Sequence, residues 1–107
     1  MTDVAVGIMS GFTALTLLNL GNCRNVTDVG VGMLSGLTGL TGLNLCACNV
    51  TDVGVGTLSG FTSLTELDLE GCNVTNVGVS RLSGLTGLTE LSLAGCRKLT
   101  DVAVGTP

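Results

Sequence analysis

The sequence predicts a solenoid, in which each coil of chain contributes one short strand to a single parallel sheet. Three observations predict it. Leu, Gly, Thr and Val alone supply 64 of the 107 residues, a bias that points to internal repetition. The dipeptide Thr-Asp, once Thr-Asn, recurs at Thr2, Thr27, Thr51, Thr75 and Thr100 in steps of 24 or 25 residues, and Cys23, Cys48, Cys72 and Cys96 keep the same spacing. A period in this range marks a stacked array of one repeated unit. Residues 26–49 and 50–73 agree at 17 of 24 positions, so the chain reads as a single array over 1–107, with repeats of about 1–25, 26–49, 50–73 and 74–98 and a partial copy over 99–107.

The strand is the clearest element of each copy. Leu15 to Cys23, Leu40 to Cys48, Leu64 to Cys72 and Leu88 to Cys96 all fit LxxLxLxxC. The closing LxL alternates with period two, so two leucines point inward and the residue between them outward, as a half-buried strand requires. One such strand is too short to survive alone, whereas four stacked in parallel bury their leucines in one continuous core.

Composition narrows the function. Eight acidic against four basic residues give a net charge of −4, and the chain has no His, Trp or Tyr and two Phe. Nucleic acid binding needs a basic footprint and often stacking surfaces, so no nucleic-acid partner is expected. Without His the commonest general base and metal ligand are missing, and neither a cofactor nor a metal is expected. An enzyme is the least favoured class; Glu66 and Glu70 would be its carboxylate pair, on an open face. Gly, Thr, Asn or Asp interrupts every apolar run well before the roughly 20 residues of a membrane span, and MTDVAVG has neither the basic nor the apolar region of a secretory signal. The expected location is therefore cytoplasmic, with no membrane partner. The sequons at Asn25, Asn49 and Asn73 read as turns, and the repeated glycines at Gly30, Gly32 and Gly36 precede no lysine, which removes a phosphate loop.

The 24-residue unit, with cysteine in the ninth position of LxxLxLxxC and Val-Thr-Asp after it, resembles the leucine-rich repeat family in its cysteine-containing subclass. The resemblance covers essentially the whole chain. It implies an α/β leucine-rich-repeat solenoid, with parallel strands on a concave side and short helical or irregular segments on a convex side. The convex segments VGVGMLSG and their copies place glycine where helix formers usually sit, at a cost of about 0.5–1 kcal/mol each relative to Ala, so short or broken helices are expected there. Asp3, Asp28, Asp52, Asn76 and Asp101 directly precede those segments and are expected to be helix N-caps. Cys23, Cys48, Cys72 and Cys96 are expected as reduced core thiols that pack as small hydrophobes. Cys46 falls on the outward face, and Cys46-x-Cys48 is a weak metal or redox pair at best.

On such a fold the x positions of LxxLxLxx face the concave side. Thr16, Thr41, Thr65 and Thr89 form a constant column, while the other columns vary, and four of the seven differences between the second and third copies lie in them. The expected partner-binding residues are Leu17, Asn19, Asn44, Cys46, Glu66, Asp68, Glu70, Glu90 and Ser92. The four acids among them fall in the C-terminal half, and no Lys or Arg joins them, so the expected function is a protein–protein interaction scaffold with a basic partner. Relatives of the subclass serve as recognition arms of larger proteins, which implies a recognition role alone. The alternative is a fragment or an engineered or duplicated array that self-associates end to end, because no terminal copy carries a polar cap.

Overall fold

Short strands and short helices alternate because each copy switches from the period-two LxL run to a segment opened by Thr-Asp. The computed structural model describes residues 1–96, 98 and 99. Its elements run α1 (Asp3–Met9), β1 (Leu17–Asn19), α2 (Asp28–Met33), β2 (Gly42–Asn44), α3 (Asp52–Thr57), β3 (Glu66–Asp68), α4 (Asn76–Ser80) and β4 (Glu90–Ser92). Single 3-10 turns, Leu34–Gly36 and Leu58–Gly60, follow α2 and α3. The strands form one parallel sheet in the order β1-β2-β3-β4, in register copy by copy: Leu18, Leu43, Leu67 and Leu91 are successive partners. The helices stack in the same order, α1 on α2, α2 on α3 and α3 on α4.

Between sheet and helices lies one apolar core. Leu34, Leu40, Leu45, Leu58, Leu64 and Leu69 are fully buried in it. The constant Thr column doubles the ladder at one end of the strands: the hydroxyls of Thr41, Thr65 and Thr89 donate to the carbonyls of Thr16, Thr41 and Thr65 at 3.1, 3.1 and 3.2 Å. At the other end the buried cysteines do the same. The thiols of Cys48, Cys72 and Cys96 donate to the carbonyls of Leu20, Leu45 and Leu69 at 2.9, 3.1 and 3.1 Å, so these side chains are donors as well as small hydrophobes. Cys23, in the first copy, is half-buried and reaches only Gly21 O, at 3.7 Å. All five cysteines are free thiols. Burial pushes the Cys72 thiol up to about 12.

The N-cap expectation is corrected. The caps are Thr2, Thr27, Thr51 and Thr75, each in extended backbone with its side chain accepting a backbone N–H, that of Val29, Val53 or Val77 in the last three. Asp3, Asp28, Asp52 and Asn76 are instead the first residues of α1 to α4, and Asp101 lies outside the described residues. The reason is geometric. The threonine hydroxyl already satisfies the local amide, which frees the aspartate to reach forward into the next copy.

Asp3 Oδ1 accepts from the amides of Thr27 and Gly30 at 2.8 and 3.1 Å, and its Oδ2 from the Thr27 hydroxyl at 2.6 Å. Asp28 repeats this on Thr51, at 2.8 Å for the amide and 2.5 Å for the hydroxyl. Asp52 repeats it on the amide and hydroxyl of Thr75. Each carboxylate thus clamps the cap of the next helix. Gly30, Gly54 and Gly78 make the approach possible, since a Cβ at any of them would overlap the carboxylate of Asp3, Asp28 or Asp52. The helices are short, five to seven residues, as their glycines predict, and the glycine in this column has a packing reason.

Candidate partner-binding face

Strand register sets the outer face of the sheet. Leu17, Gly42, Glu66 and Glu90 are successive partners, as are Asn19, Asn44, Asp68 and Ser92. Glu66 and Glu90 are exposed, and Asp68 and Glu70 are half-buried. Leu17 is 67% exposed and leans toward Gly42, its Cδ2 2.6 Å from where a Gly42 Cβ would stand.

The second of these columns has a local duty that its variation hides. Asn19 Oδ1 accepts from Gly21 N, Asn44 Oδ1 from Cys46 N and Asp68 Oδ1 from Glu70 N, at 2.8, 2.8 and 2.9 Å. Each ends its strand in an Asx turn. Ser92 departs from the pattern and donates its hydroxyl to Glu70 Oε1 at 2.6 Å. That bond fixes one oxygen of Glu70 between β3 and β4.

Of the residues singled out from sequence, the structure brings Cys46, Asp68 and Glu70 together. The thiol and one oxygen of each carboxylate lie within 4.8 Å of one another, a spacing that a divalent cation can bridge. Cys48 does not join them, because its thiol turns into the core. Partial burial, then the charges of Asp68 and Glu70, push the Cys46 thiol above its ordinary value, so it stays protonated at neutral pH. Leu17 and Asn19 stand at the opposite edge of the sheet from Glu90 and Ser92.

Between the two ends the face carries an open trough of about 350 Å³. Leu17, Gly42, Leu43 and Leu67 line it, with Asn44, Glu66 and Asp68 alongside. Gly42 was absent from the expected site. Its signal is in the internal copies, where it is the one residue without a side chain in a column of Leu and Glu. Among the described residues the basic ones sit elsewhere: Arg24 and Lys98 line separate hollows at the strand-end rim, and Arg81 on the helical side donates to Asp52 O at 2.9 Å. The helical side also exposes Val4, Val29, Val53 and Val77, at 55–74%, a stripe with one residue per copy that sequence reasoning assigned to no surface. Among the described residues no helix is long and apolar enough to cross a membrane.

No curated protein matches the sequence. A family model described as leucine rich repeat matches it twice, over residues 13–74 and 39–97, and the two overlapping spans together take in all four strands of the sheet. Most of the chain is thereby covered, with the repeat in phase in sequence and in space, and the chain belongs to the leucine-rich repeat family.

Proposed function

We propose that this protein is a non-enzymatic recognition module whose outer sheet face takes an extended basic segment of a protein partner over its acidic half. Leucine-rich repeat domains generally mediate protein–protein interaction and generally act as non-enzymatic scaffolds. The observation that carries the finer reading is the gathering of Glu66, Asp68, Glu70 and Glu90 on and beside β3 and β4, with no Lys or Arg in any outward column. Like charges on one face raise the local concentration of cationic groups and steer their approach, an effect that salt screens. The columns that differ between copies two and three are largely these, while the inward leucines stay constant.

The test neutralises the face without disturbing the turns. Asp68→Asn keeps an Oδ1 for the Glu70 amide, as Asn19 and Asn44 do for theirs, and Glu70→Ala copies Ala94. With Glu66→Gln added, fluorescence anisotropy of a labelled oligolysine peptide is expected to show binding weakened about tenfold or more, with a flatter salt dependence. Equal affinity and equal salt slope for the triple variant and the parent overturn the reading.

One observation favours self-association as a second reading. Phe12 is 59% exposed, whereas Leu37 and Phe61 in the same column are 0% and 1% exposed, so the first copy presents an apolar patch of the kind that a second chain covers. Light scattering that rises with concentration supports it, and a constant monomer mass at high concentration rejects it.

A further inference from the structure

We infer that the trough over Gly42 is a pocket for an arginine side chain of the docking segment. The inference rests on the reading of the acidic face as the docking surface and adds a specific chemistry to it. Along the column Leu17, Gly42, Glu66, Gly42 adds no side chain and Leu17 leans over it, so the trough has the Leu17 side chain as its apolar wall and the Glu66 column position on its other side. Its volume of about 350 Å³ lies at the low end of the roughly 300–1,000 Å³ typical of ligand pockets, which suits one long side chain. Leu17 supplies the exposed leucine surface of the lining, and two of the acids, Glu66 and Asp68, stand together on β3.

A side chain that matches must be aliphatic for most of its length and cationic at its tip. Lysine and arginine both qualify, and two features select arginine. The guanidinium is more weakly hydrated than an ammonium, so it loses less where its stem lies against the exposed side chain of Leu17. Its planar fork carries five donors, and the acceptors here are split between two residues on one strand. Asp68 commits Oδ1 to the Glu70 amide, which leaves its Oδ2 and the carboxylate of the exposed Glu66, two residues apart on β3, as acceptors beside the trough. A guanidinium has donors enough to serve two carboxylates at once, whereas an ammonium is a compact point charge. Leu17, being largely exposed, is free to lie along the stem.

The experiment compares a labelled oligolysine peptide with the same peptide bearing one central arginine, against the parent protein and two single variants. Gly42→Val raises the floor of the trough; its new Cβ meets only the far end of the exposed Leu17 side chain, which can swing aside. Leu17→Thr removes the apolar wall at an exposed strand position and serves as the independent second variant. In the parent, the arginine peptide is expected to bind about threefold to tenfold tighter than oligolysine. That gain, read as the ratio of the two peptides' affinities for the same variant, is expected to vanish in each variant. Oligolysine binding with no gain from arginine overturns this inference and leaves the acidic docking face standing, as does a gain that survives in both variants. No binding of either peptide to the parent overturns both.

Discussion

Each strand leaves the sheet through one residue at positive φ, and the four copies meet that need with three residue types of different ease. Asn22, Ala47, Gly71 and Gly95 stand at φ of 64°, 57°, 70° and 75°. Glycine adopts this region freely and Asn tolerates it, whereas an alanine Cβ crowds the following carbonyl. Ala47→Gly is therefore expected to stabilise the fold by about 0.5–1 kcal/mol in urea unfolding, and Gly71→Ala to destabilise it by about 1 kcal/mol. In sequence this column reads as variable surface, because Asn, Ala and Gly share no chemistry. What they share is a backbone conformation, which side-chain comparison does not display. The same limit applies to Asn19, Asn44 and Asp68: their outward position was legible, but the Asx turn that ties one oxygen of each was not.

At the scale of the element, the link between copies is the Asp–Thr–Gly clamp. Thr-Asp was legible as a helix start, yet the cap falls on the threonine, one residue earlier than expected, because the aspartate is claimed by the next coil. Only the stacking of copies reveals that claim. Two glycines of α2 separate the clamp from simple helix propensity. A Cβ on Gly32 meets nothing within 4 Å, so Gly32→Ala should stabilise the protein by about 0.5–1 kcal/mol. On Gly30 a Cβ overlaps the Asp3 carboxylate, so Gly30→Ala should destabilise it, and Asp3→Ala combined with Gly30→Ala should cost less than the two single losses added together.

The clamp also makes stability depend on pH. Burial raises the pKa of Asp3, but the Thr27 hydroxyl and the amides of Thr27 and Gly30 outweigh it, and the net shift is downward from 3.8. For Asp52, burial is likewise outweighed by the Thr75 hydroxyl, the amides of Thr75 and Gly78, and the Arg81 charge. A group whose native pKa is depressed stabilises the fold fully above its unfolded value and ceases to do so as pH falls through the native value. The urea midpoint is thus expected to hold between neutral pH and about pH 5, then fall as the acids protonate. Asp3→Asn with Asp52→Asn should be less stable at neutral pH and show a shallower acid decline. A midpoint that falls equally steeply in the double variant contradicts the clamp.

Across the whole molecule, the period alone made the architecture readable, since a repeat of this length with one LxL per copy has one way to bury its leucines. Of the surface, the placement of charge was legible: among the described residues the acids divide between the clamp column, read in sequence as helix caps, and one half of the sheet face. The trough was not, because it depends on a missing side chain at Gly42, and neither was the exposed valine stripe on the helical side, because a repeated valine reads as core. These two surfaces, one acidic and one apolar, make opposite predictions for where a partner sits. Mapping the backbone amide NMR shifts of the protein during titration with oligolysine distinguishes them directly. Docking on the acidic sheet face predicts saturable shifts centred on Glu66 to Glu70 and Glu90 to Ser92 that diminish with added salt. Shifts centred on Val29, Val53 and Val77, or no saturable shift at all, would contradict it.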